Sequence, residues 1–252
     1  MNGHMSVRAV CRLAAVALAL AALAPCAQAY RPFDGTDAAV AETGVFELEA
    51  GVGRLHFGDV DSVALPSMVF NYGLAHDTEI VLEGQYSREI GDTVLGSRNS
   101  LVDTQFSVKH VFVKGSLQDG TGPSVASECA VLLPEVHASS GTGGECAAIV
   151  SNKWEQGSLH LNAGVARTRE HDWARSASLI AEGPEAWKVR PVAEVLVERD
   201  NGGGRLHSAL VGAIYQQGEN LAFDLGFRRA HTNDGRFSEV RVGLTWSFAA
   251  GK

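Results

Sequence analysis

The stretch "SEVRVGLTWSF" (238–248) alternates strictly: Val240, Val242, Leu244, Trp246 and Phe248 are apolar, and Glu239, Arg241, Gly243, Thr245 and Ser247 stand between them. A two-residue period is that of a β-strand whose faces meet different surroundings. The theme recurs from Thr43 onward as partial alternation followed by a turn signal. Strands are predicted at 44–57, 62–75, 78–90, 101–113, 123–135 and 146–154, and again at 158–170, 173–183, 187–200, 205–217, 221–232 and 237–248. The faces separate cleanly in several of them. Leu221, Phe223, Leu225 and Phe227 oppose Ala222, Asp224, Gly226 and Arg228, while Ile80, Leu82 and Tyr86 oppose Glu79, Glu83 and Gln85.

Alternation alone fits a soluble sandwich as well as a closed barrel, so other features decide. Arg8 and Arg12 precede the apolar run "LAAVALALAALA" (13–24), and "AQA" (27–29) follows, which reads as a secretory signal cleaved after Ala29. That run is too short to span a bilayer as a helix, which takes about 20 residues. The strand count is even. The connections "HD" (76–77), "EQG" (155–157), "PEA" (184–186) and "GEN" (218–220) are tight, whereas "GDTVLGSRNS" (91–100) and "HASSGTGGE" (137–145) are longer. Short turns on one side and longer loops on the other mark bacterial outer-membrane barrels. The fit is imperfect: "KGSLQDGTG" (114–122) is long where a tight turn is due, and "HD" (171–172) is short where a loop is due. The predicted fold is all-β: a transmembrane, antiparallel, up-and-down β-barrel over 43–248, of twelve strands, or of ten if the weakly alternating stretches 62–75 and 173–183 are not strands. Residues 30–42 form a periplasmic or plug segment, and 249–252 a short tail. Tyr72, Tyr86, Trp154, Trp173, Trp187, Tyr215, Trp246 and Phe248 lie mostly near strand ends, where barrels carry aromatic girdles.

The formal net charge is −8, and signal removal takes two arginines and no acid, leaving −10. No basic stripe is available to neutralise phosphates, which excludes nucleic acid as a partner. Two of the four cysteines leave with the signal. Cys129 and Cys146 remain, either as a disulfide across a hairpin or as two small buried thiols. The histidines are scattered singly, without zinc-type ligand spacing, so no metal and no cofactor is expected.

The last strand resembles the C-terminal assembly signal of bacterial outer-membrane barrels, carried by Val240, Val242, Leu244, Trp246 and Phe248. The tail departs from that pattern, since the signal usually ends the chain. The wider chain resembles the outer-membrane family named MetA-pathway of phenol degradation, a transporter-like group. The resemblance lies in "RPFDGTDAAVAETGVFELEAGVG" (31–53), "DTQFSVKHVF" (103–112), "LHLNAGVAR" (159–167), "PVAEVLVE" (191–198) and "LAFDLGFRRAHTNDGRFSEVRVGLTWSF" (221–248). It implies an outer-membrane barrel associated with uptake of small organic, often aromatic, compounds, and no catalytic site. The expected partners are outer-membrane lipid, the barrel-assembly machinery, periplasmic chaperones and a small organic solute.

In such a barrel the inward polar residues are the functional surface. The candidates for a solute path are Glu47, Glu83, Asn162, Arg190, Glu194, Asp224, Arg228 and Arg241, with Asn162, Glu194 and Asp224 foremost in the resembling motifs. Asp224 and Arg241 sit on successive strands where they are able to pair. The alternative is a side-chain network that fills a non-conducting lumen and leaves a structural or surface-interaction role. A remoter alternative is a lipid hydrolase built on His137 and Ser139.

Overall fold

The computed structural model describes residues 31–58, 60–90 and 98–249. The predicted signal at 1–29 and all of the tail beyond Ala249 lie outside the described residues. The rest forms twelve strands: β1 (Val45–Phe57), β2 (Val60–Ala75), β3 (Thr78–Ile90), β4 (Asn99–Val113), β5 (Ser124–Leu132), β6 (Gly143–Trp154), β7 (Gly157–Arg167), β8 (Trp173–Glu182), β9 (Val189–Asp200), β10 (Arg205–Gln216), β11 (Leu221–Thr232) and β12 (Arg236–Ala249). Each pairs antiparallel with its sequence neighbours, and β1 pairs with β12 from Val45↔Ala249 to Phe57↔Phe237, closing the barrel. Closure leaves no unpaired edge. We call the end where Val45 meets Ala249 the terminal end and the opposite end the loop end.

The outward face is apolar and stays open to the surroundings: Leu82, Leu161, Val195 and Leu225 each expose half or more of their surface. The inward face carries Glu47, Glu49, Glu79, Lys109, His160, Glu194 and Asp224, all buried. An apolar exterior around a polar interior inverts the soluble pattern and is the arrangement that lipid demands. At the terminal end Phe46 stacks on Phe248 and leans on Tyr72, and Trp246 leans on Phe248. These rings form part of an outward girdle.

Several strand ends differ from the sequence expectation. β5 stops at Leu132 rather than 135, because Pro134 has no N–H to continue the ladder. β6 starts earlier, at Gly143, where Gly143 and Gly144 pair with Leu132 and Val131 through backbone alone. β7 ends at Arg167, and Thr168–Asp172 close a turn by Thr168 N–H donating to Asp172 C=O at 2.8 Å. Within β2, Pro66 falls where the register with β3 shifts between Ala64 and Ser67, a bulge that tolerates the missing donor. Cys129 and Cys146 face each other on β5 and β6, point outward and are joined as a disulfide.

Candidate functional site

Residues 31–42 turn back into the lumen. The reversal is made at Gly44, whose φ of +81° lies in the left-handed region, and at Gly73, where a side chain would collide with the Glu42 carbonyl. Gly44 N–H donates to Gly73 C=O at 2.8 Å and fixes the crossing. From there the segment runs across the interior, fastened by inward side chains from around the barrel.

Glu79 on β3 accepts the Ala41 N–H at 2.7 Å, and Ser151 on β6 accepts the Ala38 N–H at 2.9 Å. Lys109 on β4 donates to Thr36 Oγ1 at 3.0 Å and lies 3.5 Å from Asp37. Asn162 on β7 accepts from Thr36 N–H and donates to Thr36 C=O at 2.9 Å, a two-way amide clasp. The two carboxylate oxygens of Glu194 on β9 accept the N–H groups of Asp34 and Gly35, both at 2.8 Å. Asp34 then bridges Arg228 at 2.9 Å and Arg241 at 2.8 Å, and Arg241 also donates to Pro32 C=O. Arg31 reaches Asp224 at 3.4 Å.

Apolar contacts complete the seat. Ala38, fully buried, packs with Val111, Ala126 and Ile149, and Phe33 packs against Val192, Ile214 and Ala222. Gly51, Gly226 and Gly243 face inward under Arg31 and Pro32, and a methyl at any of them would collide with those side chains. The long connection after β4 has its use here. Its 3₁₀ turn (Ser116–Gln118) carries Gln118 over the lumen, where its amide donates to Ala38 C=O at 2.8 Å.

Above the segment, toward the loop end, lies a cavity of about 830 Å³ floored by Arg31–Thr36. One wall presents Glu83, Asp103, Glu128 and Glu145 from four successive strands, β3 to β6. Glu83 accepts from the Gln105 amide and Glu128 from the Ser107 hydroxyl. Among the described residues no ion pair neutralises any of these four acids. Asp103 enters this wall through a bulge, where β4 inserts an extra residue opposite Gly84 and Asp103 takes φ +54°. Across the cavity, Arg228 and Arg241 are already engaged with Asp34 and Glu239.

Of the eight residues anticipated as a solute path, five hold the segment: Asn162, Glu194, Asp224, Arg228 and Arg241. Glu83 lines the cavity wall. Glu47 and Arg190 lie elsewhere: Glu47 accepts the Ser247 hydroxyl at 2.7 Å, and Arg190 pairs with Glu182 at 3.0 Å near the terminal end. Both are spent on wall-to-wall contacts toward that end and are absent from the cavity lining. The expected Asp224–Arg241 pair does not form, because Arg31 and Asp34 intervene with shorter-range partners for each. Val240, Val242, Trp246 and Phe248 point outward with a third or more of their surface exposed, and Leu244 beside them is half-buried. His137 and Ser139 share no hydrogen bond, and Ser139 N–H donates to Glu135. Ser151, His160 and Glu182 do line up, with Ser151 Oγ 2.9 Å from Nδ1 and Glu182 3.2 Å from Nε2. Ser151 is fully buried beneath Ala38, and its oxygen serves as an anchor for the segment.

Sequence reasoning missed Ser151 and Gln118 as anchors. The inward glycines at 51, 226 and 243 were the available sign, since a strand position without a side chain often marks close approach of another backbone.

No protein-family model matches the chain, and no curated protein matches it in sequence. Solved structures match in shape. An outer membrane channel from Pseudomonas putida F1 is 10% identical with a TM-score of 0.65, the match covering 86% of this chain and 100% of that one. The NanC porin is 8% identical with a TM-score of 0.56, covering 79% and 98%. The KdgM porin in complex with disordered oligogalacturonate is 11% identical with a TM-score of 0.53, covering 80% and 99%. At these identities the likeness is one of fold: a closed outer-membrane-type barrel.

Proposed function

We propose that the protein is an outer-membrane channel for small organic solutes whose passage is restricted by its own residues 31–42. The observation that carries this reading is the lumen: a cavity of about 830 Å³ above a segment fastened by named side chains rather than by a continuous packed core. The barrels it resembles in shape include channels and porins, which favours the same reading. Leu132 lines the cavity beside the acidic wall, and Leu196 and Leu206 line it on β9 and β10, so an apolar or aromatic body has surface to lie on. The resemblance to the phenol-degradation family points to solutes of that kind. The unpaired acids favour neutral or cationic solutes over carboxylates. The alternating apolar residues of β12 serve delivery to the assembly machinery of the outer membrane.

A second reading, a structural barrel with a filled lumen, is favoured by the complete burial of Ala38 and the docking of Phe33. Planar-bilayer conductance of the refolded chain, with and without residues 31–42, separates the two. Heat-shifted gel mobility establishes folding beforehand. Small or infrequent steps that become large after the deletion are expected for the restricted channel. Two folded but silent proteins would leave the structural barrel standing.

A further inference from the structure

Arginines on the outward face are distributed very unevenly along the barrel axis. Arg54, Arg88, Arg167, Arg175, Arg199, Arg205, Arg229 and Arg236 all point outward, are exposed, and lie near the loop ends of their strands. The outward positions toward the terminal end instead carry Phe46, Tyr72, Trp154, Phe223 and Trp246. His56, His207 and His231 interleave with the arginines on β1, β10 and β11.

The register puts like charges face to face. Arg175 lies directly opposite Arg199, and Arg199 directly opposite Arg205, giving a row of three guanidinium groups across β8, β9 and β10. Arg236 stands opposite His231, which stands opposite His207. Side chains so placed have Cβ atoms about 5 Å apart and repel one another. Asp61 relieves only Arg54 and His56, at 2.8 and 2.9 Å. Among the described residues Arg175, Arg199, Arg205, Arg229 and Arg236 have no carboxylate partner. A row of opposed, exposed guanidinium groups bordering an apolar belt concentrates positive charge where an anion at the membrane surface would relieve the repulsion.

We propose that this rim binds the phosphate groups of lipopolysaccharide in the outer leaflet. The proposal rests on the outer-membrane reading, with the terminal end in the periplasm and the loops outside. Guanidinium groups match phosphate in bidentate geometry, and the row offers several at the depth of the sugar phosphates. Three outward arginines on adjacent strands hold one multiply phosphorylated headgroup, while the valines and leucines below them meet its acyl chains.

The test uses the full mature chain refolded in neutral detergent, with the heat-shifted gel midpoint read against added lipid. Lipopolysaccharide at roughly a hundredfold over its dissociation constant is expected to raise the midpoint by about 5 °C. Dephosphorylated lipopolysaccharide should leave it unchanged, and Arg175→Gln with Arg199→Gln and Arg205→Gln should remove at least half the rise. Arg229→Gln with Arg236→Gln provides a second variant should the triple change not fold. An undiminished rise in the folded variants overturns the proposal. So does an equal rise with dephosphorylated lipid, or with phosphatidylglycerol, which would make the rim a general anion surface. Conductance is measured on the same samples. A silent barrel that keeps its lipopolysaccharide response sinks the channel reading alone, and a chain that remains soluble without detergent sinks both.

Discussion

Glu194 shows how one side chain governs the lumen. Both of its oxygens accept backbone N–H groups of the inserted segment, and hydrogen bonds to a charged group contribute roughly 1.5–3 kcal/mol each. Glu194→Ala therefore weakens docking by about 3 kcal/mol or more, roughly a hundredfold in the undocked population. Single-channel recording should register this as longer or more frequent openings, and Glu194→Gln, which keeps one acceptor, should show a smaller change. Unaltered openings in the Ala variant would remove Glu194 from the restriction. Ser139 has a role at the loop end. Its hydroxyl hydrogen-bonds Glu170 and, with the Glu170 backbone, holds that carboxyl below its ordinary value of 4.5. A depressed folded value means the contact stabilises above the unfolded pKa and is lost as pH falls through the folded one. Ser139→Ala should raise the Glu170 titration midpoint toward 4.5 in carboxyl NMR, and an unmoved midpoint would refute the contact.

At the scale of elements, the strands were legible because each face has its own solvent, and a two-residue period survives wherever lipid meets one side. The lumen positions Asn162, Glu194 and Asp224 followed from that alternation. Their employment did not. Residues 31–42 have no period, since they fold neither as strand nor as helix but as a chain shaped by its receptacle. Nothing local to Asp34 or Thr36 announces that Arg228, Arg241 and Asn162 wait across the barrel. The 114–122 connection looked anomalous as a turn because its length serves Gln118 rather than chain reversal. The acidic wall of β3 to β6 is another property of assembled elements, four separate residues made contiguous by register. It predicts cation preference: in a salt gradient the reversal potential should have the sign for cations. Glu83→Gln with Glu145→Gln should move it toward zero. Anion preference in the wild type would contradict the role given to the wall.

For the whole molecule, the decisive pairing is β1 with β12, which joins residues separated by nearly the full described length. Contacts of such separation form late, because chain closure is entropically unfavourable. The inserted segment immediately precedes β1, yet its partners are spread through β3, β4, β6, β7, β9, β11 and β12. Arg241 and Asp224 join the seat only when the last two strands arrive. The complete seat for the N-terminal segment therefore exists only in the closed barrel, so docking of the segment reports that the last strands are in place. A barrel built without it loses a checkpoint on its own completion as well as an obstacle in its path.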